Sequence, residues 1–172
     1  LQAERKADNT PVTIADQQAE QRLRELILQY WPDHGIIGEE YGQKASDSPF
    51  TWIIDPIDGT KSFVSGVPLY SNLLALTDGE KSLIGVANFP ALGDMIYAVR
   101  GEGCFWNGRR ARVSSVDQLS EAVLLTSAFS YYGNRISTWD RLVSRTYTHR
   151  TWGDAYGYFL VATGRAQIML DP

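Results

Sequence analysis

The sequence is poor in several residue types whose scarcity narrows the possible functions. It has one cysteine, Cys104, so it cannot form an internal disulfide bond or a cysteine-rich zinc site. No apolar run approaches the ~18–20 residues that a membrane span needs. Lys and Arg number 16 against 20 Asp and Glu, so the basic face that nucleic acid requires is missing. The opening residues, LQAERKADNT, show no secretory signal. We therefore expect a globular cytoplasmic protein that binds neither nucleic acid nor membranes.

The remaining composition indicates a well-packed protein. Hydrophobic residues make up 44% of the 172 positions and aromatic residues 12%, which excludes a disordered chain. A chain of this length should bury about 70% of the surface that its unfolded state exposes. It suits one domain or slightly more, since domains commonly have roughly 100–200 residues.

Local patterns predict a mixture of helices and strands. Thr13 is a suitable helix cap with Asp16 in the first turn, and the apolar residues that follow at helical spacing are Ala19, Leu23, Leu26, Ile27 and Tyr30. A polar loop is expected over residues 43–49. Strands are expected over residues 51–55, 70–77, 82–89, 94–99, 123–126 and 166–170, and further helices over 138–146 and 153–163. Antiparallel strands with flanking helices predict a layered α/β or α+β fold.

The most informative segment runs from Trp52 to Phe63 and contains two aspartates three positions apart. A hydrophobic strand is expected to place Asp55 at its carboxyl end and Pro56 to turn the chain, and Asp58 follows three residues after Asp55. Two carboxylates on one tight turn suit Mg²⁺ better than zinc. Unpaired N–H groups where a helix begins would attract a phosphate beside the metal. Taken alone, the motif is better explained as an Asp-Pro turn with a capping aspartate.

Four further acids favour the catalytic interpretation when taken together. Asp16 and Glu39 precede the two aspartates, each near the end of a predicted element, and Asp154 and Asp171 follow them. Each alone has an ordinary explanation as a helix-start charge or a solvated loop residue.

In order along the chain, these segments resemble the inositol monophosphatase superfamily of magnesium-dependent, lithium-sensitive phosphatases. The markers span nearly the whole chain, and they are PVTIAD (residues 11–16), GEE (38–40), WIIDPIDGT (52–60) and GEGCFWNG (101–108). RTWGDAYG (150–157) and LVATGR (160–165) look most like the histidinol-phosphate phosphatase branch. The resemblance implies an αβαβα sandwich, here incomplete at both ends. It treats residues 1–172 as one phosphatase region, with the C-terminal α/β part starting at about residue 121.

The resemblance also implies roles for individual residues. Those that match the family's metal ligands are Glu39, Asp55, Asp58 and the main-chain oxygen of Ile57. Asp16 and Thr60 match the pair that orients the attacking water, and Asp16 also lies near a more weakly held metal. Gly59 and Thr60 match the phosphate-binding amides.

The implied substrate contacts come from the last third of the chain. Asp154 and Asp171 fall where family members contact the organic part of the substrate. Acids at these positions would suit the ammonium and imidazole groups of histidinol phosphate. A small phosphorylated metabolite is therefore the expected partner, in a protein expected to act in histidine biosynthesis and to form a homodimer, as family members commonly do.

The expected mechanism is direct attack by a metal-activated water, with two or three Mg²⁺ ions per site and no phosphoenzyme. One ion would activate the water near Glu39 and Thr60 while Asp16 helps to take its proton. Another, held by Asp55 and Asp58, would stabilise the leaving oxygen. The family has a further metal-binding aspartate, in a Trp-Asp pair, just after the position of Pro172. We therefore expect the sequence to be a fragment whose metal shell is incomplete.

Of three alternatives, the sequence does not support the first, and the other two stay open. A haloacid-dehalogenase mechanism would need a nucleophilic aspartate two residues before Asp58, where Pro56 stands. Within the superfamily, the substrate could instead be an inositol phosphate, a sugar bisphosphate or a phosphorylated nucleotide. A non-catalytic metal- or anion-binding protein is the alternative from another class.

Overall fold

The structure is a computed structural model that describes residues 4–5 and 11–171. It divides into two compact units, Leu1–Asn107 and Gly108–Pro172. In the first unit the short strands β1 (Glu4–Arg5) and β2 (Pro11–Val12) pair antiparallel.

The first long helix, α1 (Ile14–Tyr30), begins where the capping signal predicts. The Thr13 hydroxyl accepts a hydrogen bond from the Ala15 amide at 3.1 Å, and the Thr13 amide donates to Asp16 Oδ2 at 2.8 Å. This reciprocal capping box satisfies amides that a helix start leaves without partners. The predicted apolar face is only partly correct, because Tyr30 is 65% exposed while the buried residues of α1 are Asp16, Glu20 and Ile27.

Seven strands of an eight-stranded sheet form the body of the first unit. The strands of the sheet are β3 (Gly35–Gly38), β4 (Gly42–Lys44), β5 (Thr51–Asp58), β6 (Ser71–Thr77), β7 (Ser82–Phe89), β8 (Asp94–Val99), β9 (Gly103–Trp106) and, after the end of that unit at Asn107 in the sequence, β10 (Arg109–Arg110). They lie in the order β10-β9-β8-β7-β6-β5-β3-β4. β3 and β5 run parallel, whereas β3–β4 and each neighbouring pair from β5 to β9 are antiparallel. The short helix α2 (Thr60–Val64) follows β5 after Gly59.

Helix α1 packs on this sheet through a small apolar core. The buried residues of that core are Ile27, Ile36, Trp52 and Ile54. Ile27 comes from the helix, and the other three come from the parallel pair β3 and β5. The core therefore holds the helix against the two strands whose carboxyl ends lead to Glu39 and Asp58.

Two sequence-based predictions in this region are wrong in detail. Pro56 does not turn the chain, because β5 continues through it to Asp58. The pairing with β6 shifts register between Asp55 and Asp58, and such an irregularity is where a strand tolerates proline. The segment 43–49 is not wholly a loop, since β4 extends to Lys44. There the Lys44 ammonium donates to the main-chain oxygens of Pro32 and His34.

The second unit is a three-stranded parallel sheet with helices. Its elements are β11 (Val123–Thr126), α3 (Ile136–Val143), β12 (Thr148–Arg150), α4 (Asp154–Ala162) and β13 (Ile168–Leu170), with 3₁₀ turns at Leu119–Glu121 and Phe129–Arg135. The strand order is β12-β11-β13. Leu124 packs with Tyr132 and Trp139, whereas Leu125 packs with Leu160 and Ala166. Successive residues of β11 thus supply two separate apolar clusters, as the alternation of side chains along a strand requires.

No helix within residues 4–5 and 11–171 is long and apolar enough to cross a membrane.

Candidate active site

Four carboxylates of the first unit interact around Asp55. The pKa of Asp55 is raised from 3.8 to about 7, chiefly by burial and then by the nearby charges of Glu39, Asp58 and Asp16. Hydrogen bonding with the Glu39 carboxyl adds to this shift. The structure thus brings together the acids at positions 16, 39, 55 and 58, which come from three separate stretches of chain.

An unsatisfied oxygen on Asp55 makes this cluster suitable for a cation. Asp55 Oδ1 is buried and has no hydrogen-bond partner. A buried carboxylate oxygen without a partner is costly, and a bound cation would remove that cost. The surrounding donors are carboxylate oxygens, with a main-chain carbonyl close by in sequence, and this is the ligand chemistry that Mg²⁺ prefers. The residues present therefore fit a magnesium ion.

Within the described part of the chain, no group of three or more Asp, Glu, His or Cys side chains is arranged so that it could hold a metal. The fit to Mg²⁺ therefore rests on the chemistry of the donors and on the unpartnered oxygen of Asp55.

Asp16 is held at the start of α1 by the same hydrogen bonds that cap the helix. Its side chain is 2% exposed. Both the Thr13 amide and the Thr13 hydroxyl donate to its Oδ2, at 2.8 and 2.7 Å. These two bonds fix the rotation of the carboxyl group, so Asp16 faces the other acids from a rigid position.

A hydrogen bond and a glycine in the left-handed conformation define the backbone of the segment 57–60. The Thr60 hydroxyl donates to the main-chain oxygen of Ile57 at 3.0 Å. Gly59 has φ 76°, a left-handed conformation that glycine adopts without strain, and it precedes the first residue of α2. The amides of Gly59 and Thr60 therefore stand at a sharp corner directly after Asp58.

Strand β6 supports this segment through residues that the sequence analysis did not identify. The Ser71 hydroxyl donates to Asp58 Oδ2 at 3.2 Å, and the Asn72 amide group donates to the main-chain oxygen of Pro56 at 2.7 Å. Asn88 on β7 in turn donates to Asn72 Oδ1 at 3.1 Å. Ser71 and Asn72 could have been noticed as polar residues in an apolar strand. Their contacts, however, depend on strand pairing, which the sequence does not show.

Asp154 and Asp171 both belong to the second unit. Asp154 is the first residue of α4 and has φ 52°, which is uncommon for a residue with a side chain. Its amide donates to the Ser127 hydroxyl oxygen at 3.0 Å. Asp171 is exposed and lies near Tyr158, whose pKa is raised by burial and then by the charge of Asp171.

Comparisons with known proteins identify the family to which the chain belongs. The model of the inositol monophosphatase family matches residues 1–171. A histidinol-phosphatase of Chlorobaculum parvum is 43% identical over 99% of this chain and 67% of its own length. A histidinol-phosphatase of Mycobacterium tuberculosis is 38% identical over 100% of this chain and 69% of its own length. The solved structure of a Thermotoga maritima IMPase matches with a TM-score of 0.90 and 34% identity, over 99% of this chain and 66% of that one.

The chain thus spans about two thirds of the length of the relatives that it matches. The match extends over almost every residue of the chain, and it includes both the helix that holds Asp16 and the segment from Asp55 to Thr60. The chain belongs to the inositol monophosphatase family and is a phosphatase, a phosphoric monoester hydrolase of that superfamily.

Proposed function

We propose that this protein hydrolyses L-histidinol phosphate with Mg²⁺ held by Glu39, Asp55, Asp58 and the main-chain oxygen of Ile57. The observation that carries the metal site is the buried, unpartnered Oδ1 of Asp55 amid three other carboxylates. The similarity to two histidinol-phosphatases, at 43% and 38% identity, supports the choice of substrate.

When bound, Mg²⁺ supplies Lewis-acid stabilisation of the phosphoryl oxygens and makes water a better nucleophile at neutral pH. We assign two or three ions to the site, with Asp16 near the most weakly held one.

Two residues of the chain orient the attacking water in this proposal. The Thr60 hydroxyl proton is already engaged by the Ile57 oxygen, so Thr60 Oγ1 accepts a hydrogen bond from the water through a remaining lone pair. Asp16, fixed by Thr13, accepts the second hydrogen bond and helps to remove the proton. A nucleophile held by two fixed acceptors loses little further entropy on reaching the reactive geometry.

The amides of Gly59 and Thr60 bind the phosphate in this proposal. Gly59 precedes α2 and Thr60 is its first residue, and the first N–H groups of a helix have no intrahelical acceptor. Asp154 and Asp171 contact the organic part of the substrate. Two anionic side chains complement the ammonium and imidazole of histidinol and disfavour an uncharged inositol ring.

A second candidate substrate is inositol 1-phosphate. It is favoured by the 34% identity and TM-score of 0.90 to the Thermotoga maritima IMPase. The two candidates differ in the charge of the leaving alcohol, so the ratio of their kcat/KM values separates them.

The test is phosphate release from each substrate by the protein at the length that its gene encodes. We expect release from histidinol phosphate to require Mg²⁺, to stop with EDTA, and to exceed release from inositol 1-phosphate at least tenfold in kcat/KM. Asp58→Asn should lower kcat/KM by about 100-fold or more, comparable with the loss of one preorganised group that stabilises charge in a transition state. Asp47→Asn, in an exposed loop, is the matched control and should keep wild-type activity. Metal-independent activity, or an Asp58→Asn variant as active as wild type, would contradict the proposal.

The proposal also includes a cytoplasmic homodimer acting in histidine biosynthesis. The apolar antiparallel strands β6 to β8 offer surface for a subunit contact. Light scattering on the purified protein tests the dimer, and a monomer at micromolar concentration would contradict it.

A further inference from the structure

A buried carboxylate of α1 binds the turn that carries Glu39. Glu20 is 0% exposed, and its two oxygens accept three hydrogen bonds. Oε2 accepts from the Glu40 amide at 2.7 Å, and Oε1 accepts from the Tyr41 amide at 3.1 Å and from Arg24 Nε at 2.7 Å. Both main-chain donors directly follow Glu39 in the sequence.

Arg24 extends this contact to the next residue of the turn. Its guanidinium neutralises Glu20 from one helical turn further along α1, and its side chain is 16% exposed. Arg24 Nη2 also donates to the main-chain oxygen of Gly42. Together, Glu20 and Arg24 bind the backbone of three successive residues, 40 to 42.

Gly38, the residue before Glu39, leaves room for the side chains of Glu20 and Arg24 to lie close to the backbone. A Cβ atom added at Gly38 would lie 1.9 Å from Glu20 Oε1 and 2.8 Å from Arg24 Nη2. Only glycine leaves room for the carboxylate against the end of β3. The Glu20 carboxylate thus lies against the chain immediately before Glu39 and binds the chain immediately after it.

The same helix face holds a second acid of the site. Asp16 and Glu20 are four residues apart, so they lie one above the other on α1, about 6 Å apart along the axis. Asp16 interacts with Asp55, and Glu20 binds the turn after Glu39. A rigid helix thereby sets the distance between one acid of the cluster and the backbone of another.

We infer that Glu20 is a positioning residue that fixes the Glu39 turn relative to Asp16 and Asp55 and so raises the affinity of the site for its metal. The inference rests on the proposed role of Glu39. A buried ion pair adds little net stability compared with apolar side chains of similar size. A role in holding a ligand-bearing turn therefore accounts for this pair better than packing does.

The expected consequence concerns metal affinity. Glu20→Gln replaces one acceptor oxygen by an NH₂ group that faces main-chain donors, so at least one of the two amide bonds is lost. Groups that orient metal ligands typically change metal affinity by 10–100-fold when mutated. We expect Glu20→Gln to weaken Mn²⁺ binding about tenfold and to raise the Mg²⁺ concentration for half-maximal activity equally, while kcat at saturating Mg²⁺ falls less than threefold.

The experiment titrates metal-free protein of full length with Mn²⁺, using the electron paramagnetic resonance signal of the free ion and no substrate. Glu25→Gln is the matched control, because Glu25 lies on the same helix and pairs with Arg22 at 3.2 Å on an exposed surface. It should bind Mn²⁺ like the wild type. A purely structural role for Glu20 would lower the folded fraction and leave the dissociation constant of the folded protein unchanged, and that result would overturn the inference.

Arg24→Lys provides a second variant that keeps the charge beside Glu20. It loses the hydrogen bond to the Gly42 oxygen and should weaken Mn²⁺ binding about twofold to fivefold. If Glu20→Gln does not fold, Arg24→Lys decides the question, and wild-type Mn²⁺ affinity in this variant would refute the positioning role.

The behaviour of the wild-type protein distinguishes failure of the proposed function from failure of the positioning role of Glu20. A wild-type protein that releases phosphate only with Mg²⁺, paired with a Glu20→Gln variant of unchanged metal affinity, refutes the positioning role alone. A wild-type protein that neither binds Mn²⁺ nor hydrolyses a phosphomonoester refutes both.

Discussion

Gly38→Ala tests the close packing beneath the Glu39 turn most severely. The new methyl carbon would lie 1.9 Å from Glu20 Oε1 and 2.4 Å from Glu20 Cδ, whereas real Cβ contacts stay above 3.0 Å. The carboxylate must therefore move by about 1 Å or more in a site where it has no exposed surface. That shift breaks its hydrogen bonds to the Glu40 and Tyr41 amides.

The size of the effect follows from those two bonds. Each hydrogen bond to a charged group contributes about 1.5–3 kcal/mol. Partial relaxation of the long Glu20 side chain recovers some of this, so we expect Gly38→Ala to lower the free energy of unfolding by about 3 kcal/mol. Urea unfolding followed by tryptophan fluorescence and circular dichroism measures it.

The control is Gly85→Ala in strand β7. An added Cβ at Gly85 meets no atom within 4 Å, and Gly85 has no positive φ. Its substitution should change the free energy of unfolding by less than about 0.5 kcal/mol. In a Glu20→Ala background, Gly38→Ala should cost much less, because the clashing carboxylate is gone and only Arg24 Nη2, at 2.8 Å, remains close to the added methyl group. A Gly38→Ala protein as stable as Gly85→Ala would refute the packing argument.

Two further predictions address the acid cluster and the second unit. Because the pKa of Asp55 in the folded protein, about 7, lies above its ordinary 3.8, the metal-free protein holds a proton that the unfolded chain has lost, and the associated stability declines as pH rises from about 4 through 7. At pH 8 in EDTA, Asp55→Asn should therefore be more stable than wild type by on the order of 1 kcal/mol, a figure reduced because Asp55 is partly exposed. Once ~10 mM Mg²⁺ is added, a concentration chosen to saturate a millimolar site, the variant should be less stable than wild type. If the urea midpoints of the two proteins had the same pH dependence in EDTA, this prediction would be contradicted. Leu124 is 0% exposed and lies beside Tyr132 and Trp139, so Leu124→Ala should lower the free energy of unfolding by about 2–5 kcal/mol in the same assay. Val116 is 37% exposed, and Val116→Ala should lower it by less than about 1 kcal/mol. Equal decreases would show that Leu124 is not a core residue.

Local sequence rules predicted those parts of the fold that depend on local interactions. The Thr13 cap and the residues of β7 and β8 all follow from neighbours within a few positions. Pro56 shows where such rules fail. Its turn preference is overridden by pairing with β6 and by the hydrogen bond from Asn72, a residue 16 positions away.

The sequence predicts which acids form the site but not the contacts that hold them in position. Asp55 and Asp58 are recognisable from their spacing, and Asp16 from its place at a helix start. Glu20 looks like an ordinary charge on a helix surface, because the donors that bury it come from a turn 20 residues away. Burial of a charged residue is a property of the tertiary fold, and no helical pattern within α1 reveals it.

The most direct test of the metal site is anomalous X-ray scattering from crystals of the full-length protein soaked in Mn²⁺. We expect a peak about 2.0–2.3 Å from carboxylate oxygens of Glu39 and Asp55, with Asp58 on the same or an adjacent ion. A Mn²⁺ peak elsewhere, with these three side chains bound to no metal, would contradict the account.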